Sequence, residues 1–166
     1  MIEEVAHNME IERKFLLNKL PPFKPTKEVQ IDQGYIHRDE NMEIRLRRID
    51  RDFFQTIKLA GDLSREEFEI KISNEDFKKL WPLTEGSRLS KTRMFYKLNE
   101  LVAEVDIYKG SLYGLITMEV EFDSETASER FIIPKWVERE VTYDSKYKNK
   151  NLSHVLSLKE LNDQFG

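Results

Sequence analysis

The stretch Glu10-Ile11-Glu12-Arg13-Lys14-Phe15, EIERKF, alternates with the period of a β-strand, and its repeating face carries Glu10, Glu12 and Lys14. Successive strand side chains point to opposite sides of a sheet, so these three share one side. A half-buried strand ordinarily turns such a face to water. Here the pattern recurs. Arg45-Leu46-Arg47, Thr56-Ile57-Lys58, Lys91-Thr92-Arg93, Glu104-Val105-Asp106 and Glu119-Val120-Glu121 each place polar residues around an inner one of opposite orientation. In REEFEIKI, Arg65, Glu67, Glu69 and Lys71 lie on one face, and Phe68, Ile70 and Ile72 on the other.

Most of these doublets carry one sign. Like charges two residues apart on a strand sit about 7 Å apart. Their repulsion is about 0.6 kcal/mol in water and about 2.4 kcal/mol at an effective dielectric of about 20. Several strands accepting that cost point to ligands that offset it, anions at the basic doublets and metal cations at the acidic ones. Closing such a sheet with its charges inward gives a polar lumen and an apolar outer surface, an arrangement that suits a polyphosphate held with a divalent metal.

Strand patterns fall at 10–17, 29–37, 42–50, 53–60, 65–73, 88–98, 102–109 and 115–122. Helices are expected at 74–81 with Asn74 as cap, at 124–131 behind Ser124, and at 152–164, where Leu152, Val155, Leu156 and Leu161 recur at helical spacing. The fold class is mainly β (α+β): an eight-stranded antiparallel sheet closed into a barrel, which removes its edges, with a few flanking helices. Residues 1–166 read as one domain.

Composition narrows the function classes. A net charge of −4 argues against a general nucleic-acid or membrane-surface binder. The chain has no cysteine, which excludes disulfides, thiolate metal sites and a cysteine nucleophile. No apolar run is long enough to cross a bilayer, and the first residues, MIEEVAHNM, lack the build of a signal peptide. A cytoplasmic location with neither nucleic acid nor membrane as partner is expected. His7, His37 and His154 lack zinc-protease spacing, and Gly110–Gly114 lacks the lysine and helix context of a phosphate-binding loop.

Read in order from about residue 8 to 152, the motifs resemble the CYTH superfamily, the triphosphate tunnel metalloenzymes. EIERK is similar to its ExExK signature, and EVTYDSKYKNKNL at 140–152 resembles its C-terminal segment. QGY at 33–35 and LWPLTEG at 80–86 look most like the bacterial inorganic triphosphatase branch. The resemblance implies a tunnel-forming eight-stranded barrel that uses Mg2+ or Mn2+ to hydrolyse the terminal phosphoryl group of inorganic triphosphate, with nucleoside triphosphates as further candidate substrates. Class IV-like adenylate cyclases and thiamine triphosphatases are the related alternatives. A non-catalytic polyphosphate-binding module is a further reading, opposed by the acidic doublets, which a pure anion sensor does not need.

Carried over residue by residue, the resemblance implies that Lys14, Arg45, Arg47, Lys58, Lys91 and Arg93 hold the triphosphate. Glu10, Glu12, Glu119 and Glu121 are the implied metal ligands. Glu67, Glu69 and Asp106 follow as ligands of another metal or as groups orienting the attacking water. Lys14 and Tyr35 are the catalytic candidates, with the Tyr35 hydroxyl expected to hydrogen-bond to Lys14 and bias the choice of triphosphate. Arg65 is read as a partner of Glu67 or a further phosphate ligand. One departure stands at Trp136-Val137-Glu138, where the family often has glycine at the third position. It implies an altered surface turn or an altered cover over one tunnel mouth.

Ile11, Phe15, Ile44, Leu46, Ile57, Leu59, Phe68, Ile70, Val105, Ile107, Val120 and Phe122 are expected to face outward. Three short helices cannot cover them all, so a homodimer is expected.

Overall fold

The computed structural model describes residues 6–163. Eight strands build the barrel: β1 (Ala6–Leu16), β2 (Lys27–Arg38), β3 (Met42–Ile49), β4 (Asp52–Leu59), β5 (Ser64–Ile72), β6 (Arg88–Leu98), β7 (Leu101–Tyr108) and β8 (Ile116–Glu121). All pair antiparallel in the order β5-β4-β3-β2-β6-β7-β8-β1. β1 closes the ring by changing neighbours halfway. Ala6–Ile11 run against β5, and Glu12–Leu16 run against β8. A ninth strand that the sequence did not suggest, β9 (Arg139–Glu140), pairs with the end of β1.

The alternation works as expected on most strands. Ile11, Phe15, Val105, Val120 and Phe122 face outward and form an apolar cluster with Met118 and Tyr96, against which Phe131, Trp136 and Val137 pack. Phe131 is reached through α2 (Glu125–Glu129), capped by Ser124, whose hydroxyl accepts from the Ala127 N–H at 3.1 Å. Elsewhere on the outer face Leu46 is fully buried, Ile44, Ile57 and Ile70 are half-buried, and Leu59 is exposed. β2 reverses the rule: Val29 and Ile31 line the lumen, while Gln30 and Asp32 bind outer-face partners on β6 and β3.

The first helix, α1 (Asn74–Leu80), begins where expected and ends one residue sooner, but Asn74 is not its cap. Its cap is Ser73, which accepts from the Asp76 N–H at 3.0 Å. The Phe77 ring of this helix lies 4.8 Å from Phe53 and 5.0 Å from Trp81. A 3-10 turn, Trp81–Thr84, then lies against β2. Gly34 makes that approach possible, because a Cβ there would stand 2.6 Å from Thr84.

The expected helix at 152–164 is instead two short ones, α3 (Asn149–Leu152) and α4 (Leu158–Asp163). Ser157 interrupts it with a cap of its own: its hydroxyl accepts from the Glu160 N–H at 3.2 Å, and the Glu160 carboxylate accepts from the Leu156 N–H at 2.9 Å. Leu152 and Leu161 are buried as the spacing required, whereas Leu156 is 82% exposed. Residue 164 lies outside the described residues. Among the described residues no helix is long and apolar enough to cross a membrane.

The C-terminal segment closes one end of the barrel. Val141, Tyr147, Leu152 and Leu161 pack with Leu16, Leu89 and Tyr108 at that end. The segment is tied to the rim by the Lys14 N–H to Thr142 Oγ1 (3.0 Å), Tyr108 Oη to Asn149 Oδ1 (2.6 Å), Arg38 to the Lys150 carbonyl (2.7 Å) and Lys148 to Asp62. Glu138, at the usual glycine position, is exposed, has an ordinary backbone angle and donates its N–H to the Leu16 carbonyl at 3.0 Å. The departure therefore touches the surface beside β9 and leaves the lumen alone.

Candidate active site

The lumen has a volume of about 410 Å3, within the range of about 300–1,000 Å3 usual for small-molecule sites. Glu10, Glu12, Lys14, Tyr35, Arg45, Arg47, Lys58, Lys91, Arg93, Glu119 and Glu121 all contribute to its wall. Apart from Tyr35 on β2, each has the parity of its charged motif, so the strands present them inward together.

Charges that repel along a strand are neutralised across strands. Lys14 Nζ stands 3.1 Å from Glu119, and Lys58 Nζ stands 2.7 Å from both Glu10 and Glu67. Arg65 reaches Glu10 at 3.3 Å and Glu43 at 3.9 Å, so it does not pair with Glu67. Arg93 donates to Asp106 through Nε (2.7 Å) and Nη2 (2.8 Å), reaches Glu119 at 3.2 Å and also pairs with Glu104.

Two of the expected metal ligands are placed differently from the rest. Asp106 is completely buried and absent from the lumen wall; its oxygens are taken by Arg93 and by Lys91 Nζ at 2.6 Å. Glu69 is likewise off the wall, accepting from Arg47 and from Thr56 Oγ1, both at 2.9 Å. Both carboxylates brace basic residues of the lumen wall from behind. The expected bond between Tyr35 and Lys14 is also absent. β1 and β2 are consecutive in sequence but not neighbours in the barrel, and the Tyr35 hydroxyl accepts instead from Gln33 Nε2 at 2.9 Å.

What remains unmatched defines the site. Arg45 is buried, no described residue forms an ion pair with it, and its Nε has no partner; the Arg47 Nε is also unpartnered. Burial opposes the charge of Arg45, but the field of Tyr35, Glu67 and Glu43 holds its pKa above the ordinary value. On the acidic side, no ion pair among the described residues involves Glu12 or Glu121, which are Cα partners across β1 and β8. Burial, then Glu119 and Glu10, push Glu12 up to about 8. Burial and Glu10 also raise Glu121. Glu10 and Glu119 behave oppositely. Burial alone would raise them, yet Lys58 and Arg65 hold Glu10 at about 2, and Lys14 and Arg93 hold Glu119 well below the carboxylate range.

This donor set fits a hard divalent cation. The ligands are carboxylate oxygens, and the crowding that keeps Glu12 protonated is the repulsion a cation relieves. Among the described residues no group of three or more acidic or histidine side chains is arranged to hold a metal ion by itself.

Several lumen residues gave no sequence signal. Glu43, buried and two positions before Arg45, shares the parity of the basic doublet but not its sign. Thr142, Lys148 and Asn149 reach the lumen from the C-terminal segment, where no strand period marks them and only the resemblance of 140–152 to the family's C-terminal segment pointed to that stretch.

The CYTH domain family model matches residues 8–156. An inorganic triphosphatase of Nitrosomonas europaea is 44% identical over 146 residues, 87% of this chain and 96% of the relative. An inorganic triphosphatase of Acetivibrio thermocellus is 34% identical over 145 residues, 86% of this chain and 92% of the relative. A solved crystal structure of an inorganic triphosphatase superposes with a TM-score of 0.68 at 41% identity, covering 89% of this chain and 96% of that one.

Proposed function

The chain belongs to the CYTH domain family, and from that premise we propose that it hydrolyses the terminal phosphoryl group of inorganic triphosphate with the help of bound Mg2+ or Mn2+. The observation that carries this reading is the pairing of residual charges inside one cavity. A buried guanidinium with a spare N–H, Arg45, and two lumen carboxylates that form no ion pair with any described residue, Glu12 and Glu121, answer to the two halves of a metal–polyphosphate complex.

Arg45 and Arg47 present forked donors to phosphate oxygens, and Lys14, Lys58, Lys91 and Arg93 supply point and forked charge around them. Carboxylates already hold several of these cations at the lumen wall, so their positions are set before substrate arrives. Glu12 and Glu121, joined by Glu10 and Glu119, would hold the metal, which supplies charge neutralisation and a more acidic water. Phosphoryl transfer asks the protein mainly for position and electrostatic stabilisation, which this wall provides. The Tyr35 hydroxyl, kept protonated by burial and by Glu43, acts as a hydrogen-bond donor to the substrate.

The protein acts in the cytoplasm, which suits a cysteine-free chain. It works as a homodimer through the outer face of β3, β4 and β5, where Ile44, Ile57, Leu59 and Ile70 retain exposure. A monomer mass in solution at micromolar concentration refutes the dimer.

Incubating the purified protein with tripolyphosphate, ATP or thiamine triphosphate, with Mg2+, Mn2+ or chelator, tests the activity. Metal-dependent phosphate release that favours tripolyphosphate is the expected result. Cyclic AMP from ATP would instead make the protein a cyclase, and binding without turnover would make it a sensor.

A further inference from the structure

Gln33 is completely buried, lines the lumen and is used by none of the roles assigned above. It lies two residues from Tyr35 on β2, so the two side chains leave the strand on the same side. Its Nε2 donates to the Tyr35 hydroxyl oxygen at 2.9 Å, while its Oε1 has no partner. A buried amide oxygen without a hydrogen bond is uncommon and calls for an explanation.

The strand between them is built to keep this pair still. Gly34 receives Thr84 from outside, and Thr84 is itself fixed by donating to the Trp81 carbonyl at 2.7 Å and accepting from Arg88 Nε at 2.9 Å. The Tyr35 N–H donates to the Ser87 carbonyl at 3.0 Å. QGY and LWPLTEG, distant in sequence, thus meet as the two sides of one clamp on β2.

The direction of the Gln33–Tyr35 bond matters chemically. A phenol oxygen that accepts from an amide still has its own hydrogen to donate, and the amide nitrogen cannot receive it. The hydrogen is left for an acceptor in the lumen, where Tyr35 stands beside Arg45 on β3. A bound phosphate chain supplies such acceptors.

We propose that Gln33 is a positioning residue: by holding the Tyr35 hydroxyl oxygen it presents the Tyr35 O–H hydrogen to a phosphate oxygen of the substrate, and its free Oε1 accepts from the water that accompanies the ligand. This rests on the triphosphatase reading and on the donor role given to Tyr35.

A double-mutant cycle on the full chain, assayed with tripolyphosphate and Mg2+, tests it. Tyr35→Phe is expected to lower kcat about tenfold, and Gln33→Leu about fivefold with KM little changed, the range worth one hydrogen bond. Gln33→Leu added to Tyr35→Phe should cost less than twofold more. Gln33→Glu, whose carboxylate accepts from the phenol, should withdraw the hydrogen and match Tyr35→Phe. If Gln33→Leu proves unstable in thermal melting, the near-isosteric Gln33→Met takes its place in the cycle. Multiplying losses in the double variant, or a silent Gln33 change beside a damaging Tyr35→Phe, overturns the proposal. A silent Tyr35→Phe removes the donor role itself and the proposal with it. Absence of tripolyphosphate turnover by the unaltered protein marks failure of the triphosphatase reading.

Discussion

Glu12 and Glu121 face each other as Cα partners across β1 and β8, and neither forms an ion pair with a described residue. A buried carboxylate crowded by its neighbours and without an ion pair of its own is tolerable only while it keeps its proton or a metal arrives. Glu12, pushed up to about 8 by burial and then by Glu119 and Glu10, is the one that keeps it.

A dependence on pH follows for the metal-free protein. Between the ordinary value of 4.5 and about 8, the folded chain retains a Glu12 proton that the unfolded chain has released. The stability it contributes is present at about pH 5 and lost as pH rises through about 8. Glu10 and Glu119 are shifted the other way, so their contribution is lost only as pH falls below 4.5. The melting temperature in chelator should therefore fall from about pH 5 to about pH 8 and fall less steeply in Glu12→Gln. An identical slope in the two proteins would assign the decline to other groups.

Arg45 offers a separate test, because its guanidinium is buried, forms no ion pair with any described residue and has an Nε without a partner among them. Arg45→Ala should lower kcat/KM for tripolyphosphate by about a hundredfold to a thousandfold, as loss of a preorganised donor does elsewhere. Arg45→Lys keeps the charge but not the fork, and should recover only part of the loss. Equal activity of the lysine and arginine forms would show that charge alone is needed.

The alternation of EIERKF and its counterparts made the barrel and most of the lumen wall legible in the sequence. It worked because parity depends only on the strand itself. Parity does not say which strands are neighbours. Lys14 meets Glu119 and Lys58 meets Glu10 through pairings many residues apart, so the cancellation of sign across strands stayed hidden. The same gap misplaced Asp106 and Glu69, which have the right parity but are sequestered by cations nearer the lumen. β2 shows a second limit: with Gln30 and Asp32 outward and Val29 and Ile31 inward, its first half has the period of the other strands and the opposite polarity.

Gly34 converts one of these hidden contacts into a stability prediction. A methyl group there would meet Thr84 Cβ and Oγ1 at 2.6 Å, and Thr84 is completely buried and hydrogen-bonded in place. Gly34→Ala should destabilise the protein by about 1–3 kcal/mol, the usual cost of overpacking, read as a lower denaturation midpoint. An unchanged midpoint would mean that the Trp81–Thr84 turn is free to retreat.

The closed end of the barrel yields the last prediction. The segment from Val141 to Leu161 is held there partly by buried apolar residues and partly by polar ties to the rim. The Tyr108–Asn149 hydrogen bond, at 2.6 Å, is the better shielded tie and is worth about 0.5–1.5 kcal/mol. The Lys148–Asp62 pair is wetter, with Asp62 about half exposed, and contributes little by itself. Tyr108→Phe should therefore loosen the segment more than Lys148→Ala does. Because Tyr147, Leu152 and Leu161 stay buried, the opening should be local rather than global. Hydrogen exchange should show amides of 141–152 exchanging up to about tenfold faster in Tyr108→Phe, with β3 and β4 unchanged. Faster exchange spread evenly over all strands would show instead that this end and the barrel unfold as one unit.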